Sequence, residues 1–350
     1  MEPIIKSFKR YKLIKYPEGM LLNDYDIAPR ESDDTGVVTE KFGGNWFVTP
    51  KGRVIFKNYD VDDGRLRIVN ELLYDELAKQ IGLPVAKYLP AEYKSYPIHY
   101  LLRIDKDKIE KPEPEKIHIG LASVSVLKKD ERLFNGGRLL DYDGFFGEET
   151  LKDYIKALEI FEKSEGYSVD KKGIKSQLYK MMVLDALTFN EDRHLGNVFF
   201  IRNDKEKYLK ASPVIDSELC FLGVNIWIKK SECLENAKTV NEVLAEHGQK
   251  IRMFVNNDIK NEEPKNRYKA NVKALVDLSA NSNNMQKFLN YTLKRIDINK
   301  AFKNVEKMGY EVTPDYKEYV NNLINISTGL LKKYMKELNK VDESAKEKTL

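Results

Sequence analysis

The chain has 350 residues, with 59 Lys+Arg against 55 Asp+Glu and a formal net charge of +4. That balance is too weak to point to nucleic acid as a direct partner, and no window is long and apolar enough to cross a bilayer as a helix, so no integral membrane association is expected. A hydrophobic share of 42% and a charged share of 33% describe a well-solvated globular chain of one large domain or two lobes. Met1 to Lys6 lacks an apolar run ahead of a cleavage site. Cys220 and Cys233 make neither a disulfide framework nor a zinc spacing, and read as buried small hydrophobes. A reducing, cytoplasmic setting is the default expectation.

Tyr11 to Tyr16 is a short candidate strand, closed by Pro17 and Gly19. The polar run Glu31 to Gly36 leads into Lys41-Phe42-Gly43-Gly44-Asn45. Residues 45–49 and 53–58 predict two antiparallel strands around the turn Pro50-Lys51-Gly52. Gly43 and Gly44 lie just before this hairpin, where glycine lets backbone approach a phosphate and aim amides at it. A plain surface turn has the same composition, and neither a Walker A nor a G-x-G-x-x-G pattern is present. Lys57 ends the second strand with a flexible ammonium that suits phosphate oxygens, or that simply faces water. Leu66 to Ile81 predicts an amphipathic helix, with Leu72, Leu73, Leu77 and Ile81 on one face. Gly82-Leu83-Pro84 ends it. Val85 to Tyr93, Ile98 to Ile104 and Ile119 to Leu127 predict further strands, with a charged excursion from Asp105 to Lys116.

From Thr150 onward the pattern turns helical. Thr150 is a candidate N-cap for a helix from Leu151 to Glu162. Gly173 to Leu187 predicts a core helix, apolar nearly all round in its second half. Asp185 interrupts that surface; buried, it needs hydrogen-bond partners, and the competing reading is an exposed helical aspartate. Next comes Asn190-Glu191-Asp192-Arg193-His194-Leu195-Gly196-Asn197, then a predicted hairpin of Val198 to Ile201 and Leu209 to Ile215 that brings Asp216 beside Asn197. An aspartate, an asparagine five residues on, an apolar strand and a second aspartate form a phosphotransferase arrangement. Asp192 can orient a hydroxyl and take its proton, while Asn197 and Asp216 offer hard oxygen ligands for Mg²⁺ on ATP phosphates. The competing reading is a polar turn, with His194 a structural hydrogen-bonding residue. Residues 222–290 are polar and helix-rich, broken at Asn261 to Pro264. Tyr291 to Val305 and Tyr316 to Leu338 predict two closing helices, and Val341 to Leu350 a frayed end.

The loop is the protein-kinase H-R-D-x-x-x-x-N pattern with histidine and arginine moved past the aspartate. In this form it resembles the catalytic loop of the HipA-like kinases, N-x-D-R/x-H-x-x-N, and the D-R-H-x-x-N loop of phosphatidylinositol kinases. The chain looks closest to the compact, CtkA-type proinflammatory members of the HipA-like family. Leu77-Ala78 through Gly82-Leu83-Pro84-Val85-Ala86 is similar to a run of that family, as is Pro213-Val214-Ile215-Asp216 with Ile215 in place of a tyrosine. The resemblance spans about 40–340, most specifically 185–218; the D-F-G of protein kinases is absent, since Asp216-Ser217-Glu218 stands there.

The resemblance implies an α+β, bilobal protein-kinase-like fold of the HipA and phosphoinositide-kinase type. It places an antiparallel-sheet N-lobe at 1–105 and a mostly helical C-lobe at 106–345. It implies an ATP- and Mg²⁺-dependent serine/threonine protein kinase that phosphorylates a protein substrate, itself included. In that reading Asp192 is catalytic, Asn197 and Asp216 hold metal, Lys57 meets the ATP phosphates, and Gly43 and Gly44 belong to an irregular phosphate loop. Glu71 holds Lys57, with Glu76 the second choice, and Asp185 braces the loop through His194 or Arg193. The adenine hinge falls near 99–105 or, alternatively, in 119–127. Ser32, Thr35 and Thr39 are candidate self-phosphorylation sites. The alternatives are a lipid kinase, against which stands the lack of a basic amphipathic helix, and a silent ATP-binding scaffold. Full-length HipA proteins carry an N-terminal piece that pairs with an antitoxin, which this chain is expected to lack. Delivery outside the cell as an effector is the alternative to a cytoplasmic site.

Overall fold

The computed structural model describes residues 45–49, 52–58, 64–95, 116–124, 127–128, 130–141, 149–222, 240–310 and 312–347, the first sheet mostly by its backbone. β1 (Asn45–Thr49) and β2 (Gly52–Asn58) form the expected antiparallel hairpin, with Thr49 opposite Gly52. α1 (Gly64–Gln80) follows. It ends at Gly82, whose left-handed backbone (φ 65°) lets Leu83 N–H return to the Ala78 carbonyl at 3.0 Å. Its apolar face is fully buried, but Asn70, Glu71, Asp75 and Glu76 are buried too. The polar face therefore does not meet water, as a simple amphipathic helix would have it.

β3 (Tyr88–Ser95) and β4 (Lys116–Val124) complete a four-stranded antiparallel sheet in the order β1-β2-β4-β3. β4 is interior although it lies beyond residue 105: Leu121 stands opposite both Lys57 and Pro90. Pro90, with no N–H to donate, sits on β3, the edge strand of this sheet among the described residues, where that costs least. The strand predicted from Val85 starts only at Tyr88. Val85 instead makes a parallel bridge to Val214, with Ala86 N–H on the Val214 carbonyl and Val214 N–H on the Pro84 carbonyl, each at 2.9 Å.

β5 (Glu131–Asn135) and α2 (Gly136–Asp141) come next, then β6 (Glu149–Thr150) and α3 (Leu151–Glu165). Thr150 caps α3 in a reciprocal box with Asp153. β7 (Ser168–Val169), α4 (Lys171–Thr188), β8 (Phe199–Asn203) and β9 (Tyr208–Ala211) follow. The second sheet runs β5-β8-β9-β7 and is mixed, since β7 lies parallel to β9. β9 stops at Ala211 rather than reaching Ile215, because Pro213 cannot continue a ladder and Val214 is taken by Val85. α4 runs through the core: Ile174, Val183, Leu184 and Leu187 are fully buried, each stabilising the fold by about 1.5–3 kcal/mol.

The remainder is helical: α5 (Val240–Gly248), the short β10 (Met253–Phe254) parallel to β6, α6 (Asn257–Lys260), α7 (Pro264–Ala280), α8 (Asn283–Arg295), α9 (Ile298–Lys307) and α10 (Pro314–Glu347). The helix predicted over Tyr291 to Val305 is two helices. Asp297 breaks it by accepting the Lys300 N–H at 3.0 Å and capping α9. α10 continues to Glu347 instead of fraying from Val341. No helix among the described residues is long and apolar enough to cross a membrane.

Candidate active site

The loop 190–197 starts where α4 ends. Phe189 takes a left-handed backbone (φ 50°), which costs a non-glycine residue roughly 1–2 kcal/mol. Burial of its ring offsets that cost: it stacks on Tyr268 at 5.0 Å and meets His247 edge-on at 5.1 Å. The loop then bonds to itself. Asn190 Oδ1 accepts the Asp192 N–H at 3.1 Å, and the Asp192 carbonyl accepts the His194 N–H at 2.9 Å. His194 Nδ1 accepts the Gly196 N–H at 2.9 Å. A Cβ on Gly196 would lie 2.5 Å from that ring, so no larger residue fits without a shift. The turn Leu195–Asn197 closes with Asn197 N–H on the His194 carbonyl at 2.8 Å. Asn135, at the end of β5, donates to the Gly196 carbonyl at 3.1 Å and holds the loop from outside.

Arg193 is the centre of the arrangement. It is buried, and its Nε donates to Asp185 Oδ2 at 3.0 Å. One terminal nitrogen reaches the carbonyls of Asn197 (2.9 Å), Ile215 (3.0 Å) and Asp216 (3.4 Å); the other reaches Ser217 Oγ (2.9 Å). One guanidinium thus ties the helix end, the loop and the run leading to Asp216. Burial works against its charge, but Asp185, then Tyr74 and Asp216, more than offset it, and its pKa lies above the usual arginine value. Asp185 also accepts from Tyr74 Oη of α1 (2.9 Å) and Asn190 Nδ2 (2.8 Å). Of the two partners expected for Asp185, it is Arg193 that meets it. His194 turns toward Gly196, with its Nε2 3.7 Å from Asp192.

Asn197 donates its Nδ2 to the Asp192 carbonyl (2.8 Å) and carboxylate (3.0 Å). Its Oδ1 is buried and has no hydrogen-bond partner among the described residues. Asp216 sits in a left-handed conformation (φ 62°) and is buried. Oxygens of Glu71, Asp216 and Glu218 lie within 4.8 Å of one another, a cluster that could hold a metal ion. Carboxylates so close repel unless a cation intervenes. Glu71 accepts the Ser217 N–H at 3.0 Å, and Glu218 pairs with Arg67 at 2.9 Å. Glu76 points elsewhere on α1, to Lys79 and Asn304 at 2.6 Å each. Asn70 donates to the Glu218 and Cys220 carbonyls at 3.2 Å, clamping α1 onto this segment. Cys220 is buried as expected, and burial, then Glu71 and Asp185, push its thiol pKa up.

At the mouth, Arg252, 55% exposed, reaches Asp192 Oδ1 at 3.2 Å. Lys250 pairs with Glu191 at 2.9 Å, and buried His247 lies 3.9 Å from the same carboxylate. Gly43, Gly44, Ser32, Thr35, Thr39, Cys233 and the hinge region 99–105 lie outside the described residues, and Lys57 is described by its backbone alone. Tyr74, Asn135, Glu218 and Arg252 were not anticipated as parts of this region. A local signal exists for two of the four: Tyr74 falls three residues from Glu71 on one helix, and Glu218 two residues from Asp216.

No protein-family model matches the chain, and no curated protein does. Solved structures do. The crystal structure of the Helicobacter pylori proinflammatory kinase CtkA matches with TM-score 0.53 at 14% identity, covering 86% of this chain and 95% of that one. HipA from Shewanella oneidensis MR-1, in a toxin–antitoxin complex with HipB and operator DNA, gives TM-score 0.44 at 14% identity over 83% of this chain and 60% of that one. The CtkA match carries a likeness of fold: an α+β architecture of the kind found in that kinase.

Proposed function

We propose that the chain is an ATP- and Mg²⁺-dependent kinase that phosphorylates serine or threonine hydroxyls of proteins, itself included, in a cytoplasmic setting. The observation that carries this reading is Asn197. With Nδ2 committed to Asp192, its Oδ1 is buried without a donor among the described residues, a state that costs about 1–3 kcal/mol unless something fills it. Asn197 and Asp216 share the Arg193 guanidinium through their carbonyls, and with Glu71 and Glu218 beside Asp216 the donor set is the hard oxygen set that Mg²⁺ takes.

Bound Mg²⁺·ATP would supply the phosphoryl group and neutralise the charge that develops as it moves. Asp192 would orient the acceptor hydroxyl and take its proton as the new P–O bond forms and the bond to the bridging oxygen of ADP breaks. Arg252, exposed and on Asp192, would give way to the acceptor. Lys57 would meet the phosphates, Gly43 and Gly44 would present amides to them, and Glu71 would hold Lys57 as well as Ser217. Asp185 and Arg193 would keep the loop in shape. The likeness of fold to a proinflammatory kinase supports phosphoryl transfer.

The test is transfer from γ-labelled ATP with Mg²⁺, alone, beside a generic serine/threonine protein substrate, and beside phosphoinositide vesicles. Label on protein, lost in Asp192→Ala, is the expected result. Label on lipid alone would make the chain a lipid kinase, and ATP binding without transfer in any arm would make it a scaffold.

A further inference from the structure

The N-terminal half of α4 forms one wall of an open cleft of about 710 Å³, and α8 with the end of α7 forms the other. α4 contributes Lys172, Lys175 and Lys180, α8 contributes Lys287, and among the described residues no acidic side chain lines the space. Among the described residues none of these four lysines has a carboxylate partner. Lys171 and Lys273, on α4 and α7, are paired with Glu162 and Asp277 at 2.6 Å. α8 itself has no acidic residue at all. The floor is apolar: Tyr179 and Phe288 meet edge-on at 6.3 Å, and Met285 lies beside them. Lys180 stands over the Phe288 ring at 5.3 Å. At the rim is Tyr291, 42% exposed, the one large hydrophobic side chain exposed among the described residues.

Unpaired like charges around a common space repel and do not stabilise the fold. Half-buried Phe288 and exposed Tyr291, seated on the buried Tyr179 ring, leave apolar surface in reach of water beneath them. Both features become favourable when an anionic, partly apolar ligand enters. We propose that this cleft docks an acidic segment of a partner protein, with carboxylates on the lysines and one aromatic or aliphatic side chain on the accessible rings of Phe288 and Tyr291. A protein segment fits better than a nucleic acid or a membrane. The cleft is concave and of the volume that takes a small ligand or one or two side chains. Nucleic acid calls for an extended basic footprint, and the whole chain carries only +4. The inference does not depend on the proposed kinase activity, since none of these residues belongs to the loop 190–197 or to 216–218.

Fluorescence anisotropy on the full chain tests it, with a labelled short peptide of alternating glutamate and leucine carrying one central tryptophan as the probe. Lys175→Glu/Lys287→Glu is expected to weaken binding roughly tenfold or more. Lys300→Glu/Lys303→Glu, which makes the same charge change at exposed positions of α9, is expected to leave it unchanged. Circular dichroism establishes that each variant is folded. The same peptide with glutamine for glutamate is expected not to bind, and Tyr291→Ala to weaken binding about threefold. Absence of binding to the parent chain would overturn the proposal, as would equal weakening in both double variants. Tighter capture of oligothymidine or phosphatidylserine vesicles through Lys175 and Lys287 would also overturn it, by naming a different occupant.

Discussion

Arg193 and Arg202 each pair with an aspartate, in two very different settings. Arg193 and Asp185 are 3% and 10% exposed, and every direction of the guanidinium is taken by loop carbonyls, a carboxylate or a hydroxyl. Arg202 lies on the second sheet, stacked over the rings of Phe134, Phe161 and Tyr167, and holds Asp204 at 2.6 Å. Asp204 is 43% exposed and is shared with Arg132. The same two residue types therefore do different jobs. The buried pair defines the shape of a loop that has little apolar content of its own. The exposed network fastens the end of a hairpin that its strands and rings already hold.

The comparison predicts a graded series. Asp185→Ala leaves Arg193 buried without its paired carboxylate, so urea unfolding should show a loss of about 3–5 kcal/mol. A loss under 1 kcal/mol would mean that water reaches the guanidinium. Tyr74→Phe removes one of the three donors to Asp185 and should cost about 1.5–3 kcal/mol, as hydrogen bonds to charged groups do. If phosphoryl transfer is the function, this variant should lose turnover at saturating ATP more than it loses nucleotide binding.

His247 gives a smaller, pH-dependent effect. Burial pushes its imidazole pKa down, against the pull of Glu191. Below the ordinary value of about 6.5, the unfolded chain therefore takes a proton that the folded chain refuses. Stability should fall as pH drops from there toward the folded value. His247→Asn should flatten that part of the profile, and an unchanged slope would show that His247 does not titrate there. Asp204→Ala should be the mildest change, about 1 kcal/mol or less and reduced further by salt.

The elements legible in the sequence are those that local pattern dictates. The β1–β2 hairpin, α1 with Gly82 at its end, the Thr150 cap and α4 all follow from spacing and punctuation within a single window. The loop 190–197 was legible because its polar residues sit at fixed offsets between a helix and a strand. Pairings across long separations were not. β5 finds β8 some seventy residues on, Tyr74 finds Asp185 across 111 residues, and Val85 takes Val214 from the strand that would have carried Asp216. The helix assumed over Tyr291 to Val305 missed its own signal, since Asp297 is a good cap with apolar residues on either side of it. The resemblance gives Glu71 to Lys57, whereas its side chain accepts from the Ser217 N–H and shares a cluster with Asp216 and Glu218, contacts that no local pattern signals.

The most direct test of the account is Mn²⁺ binding in the presence of ATP, read as loss of the free-ion paramagnetic resonance signal. The parent chain should bind the ion. Asn197→Ala and Asp216→Ala should each weaken it by roughly tenfold or more, since even outer partners of a metal site are worth that much, while Asp192→Ala should retain it. Undiminished binding in both the Asn197 and Asp216 variants would contradict the assignment of these two residues to the metal, and with it the reason for reading this loop as a phosphotransferase site.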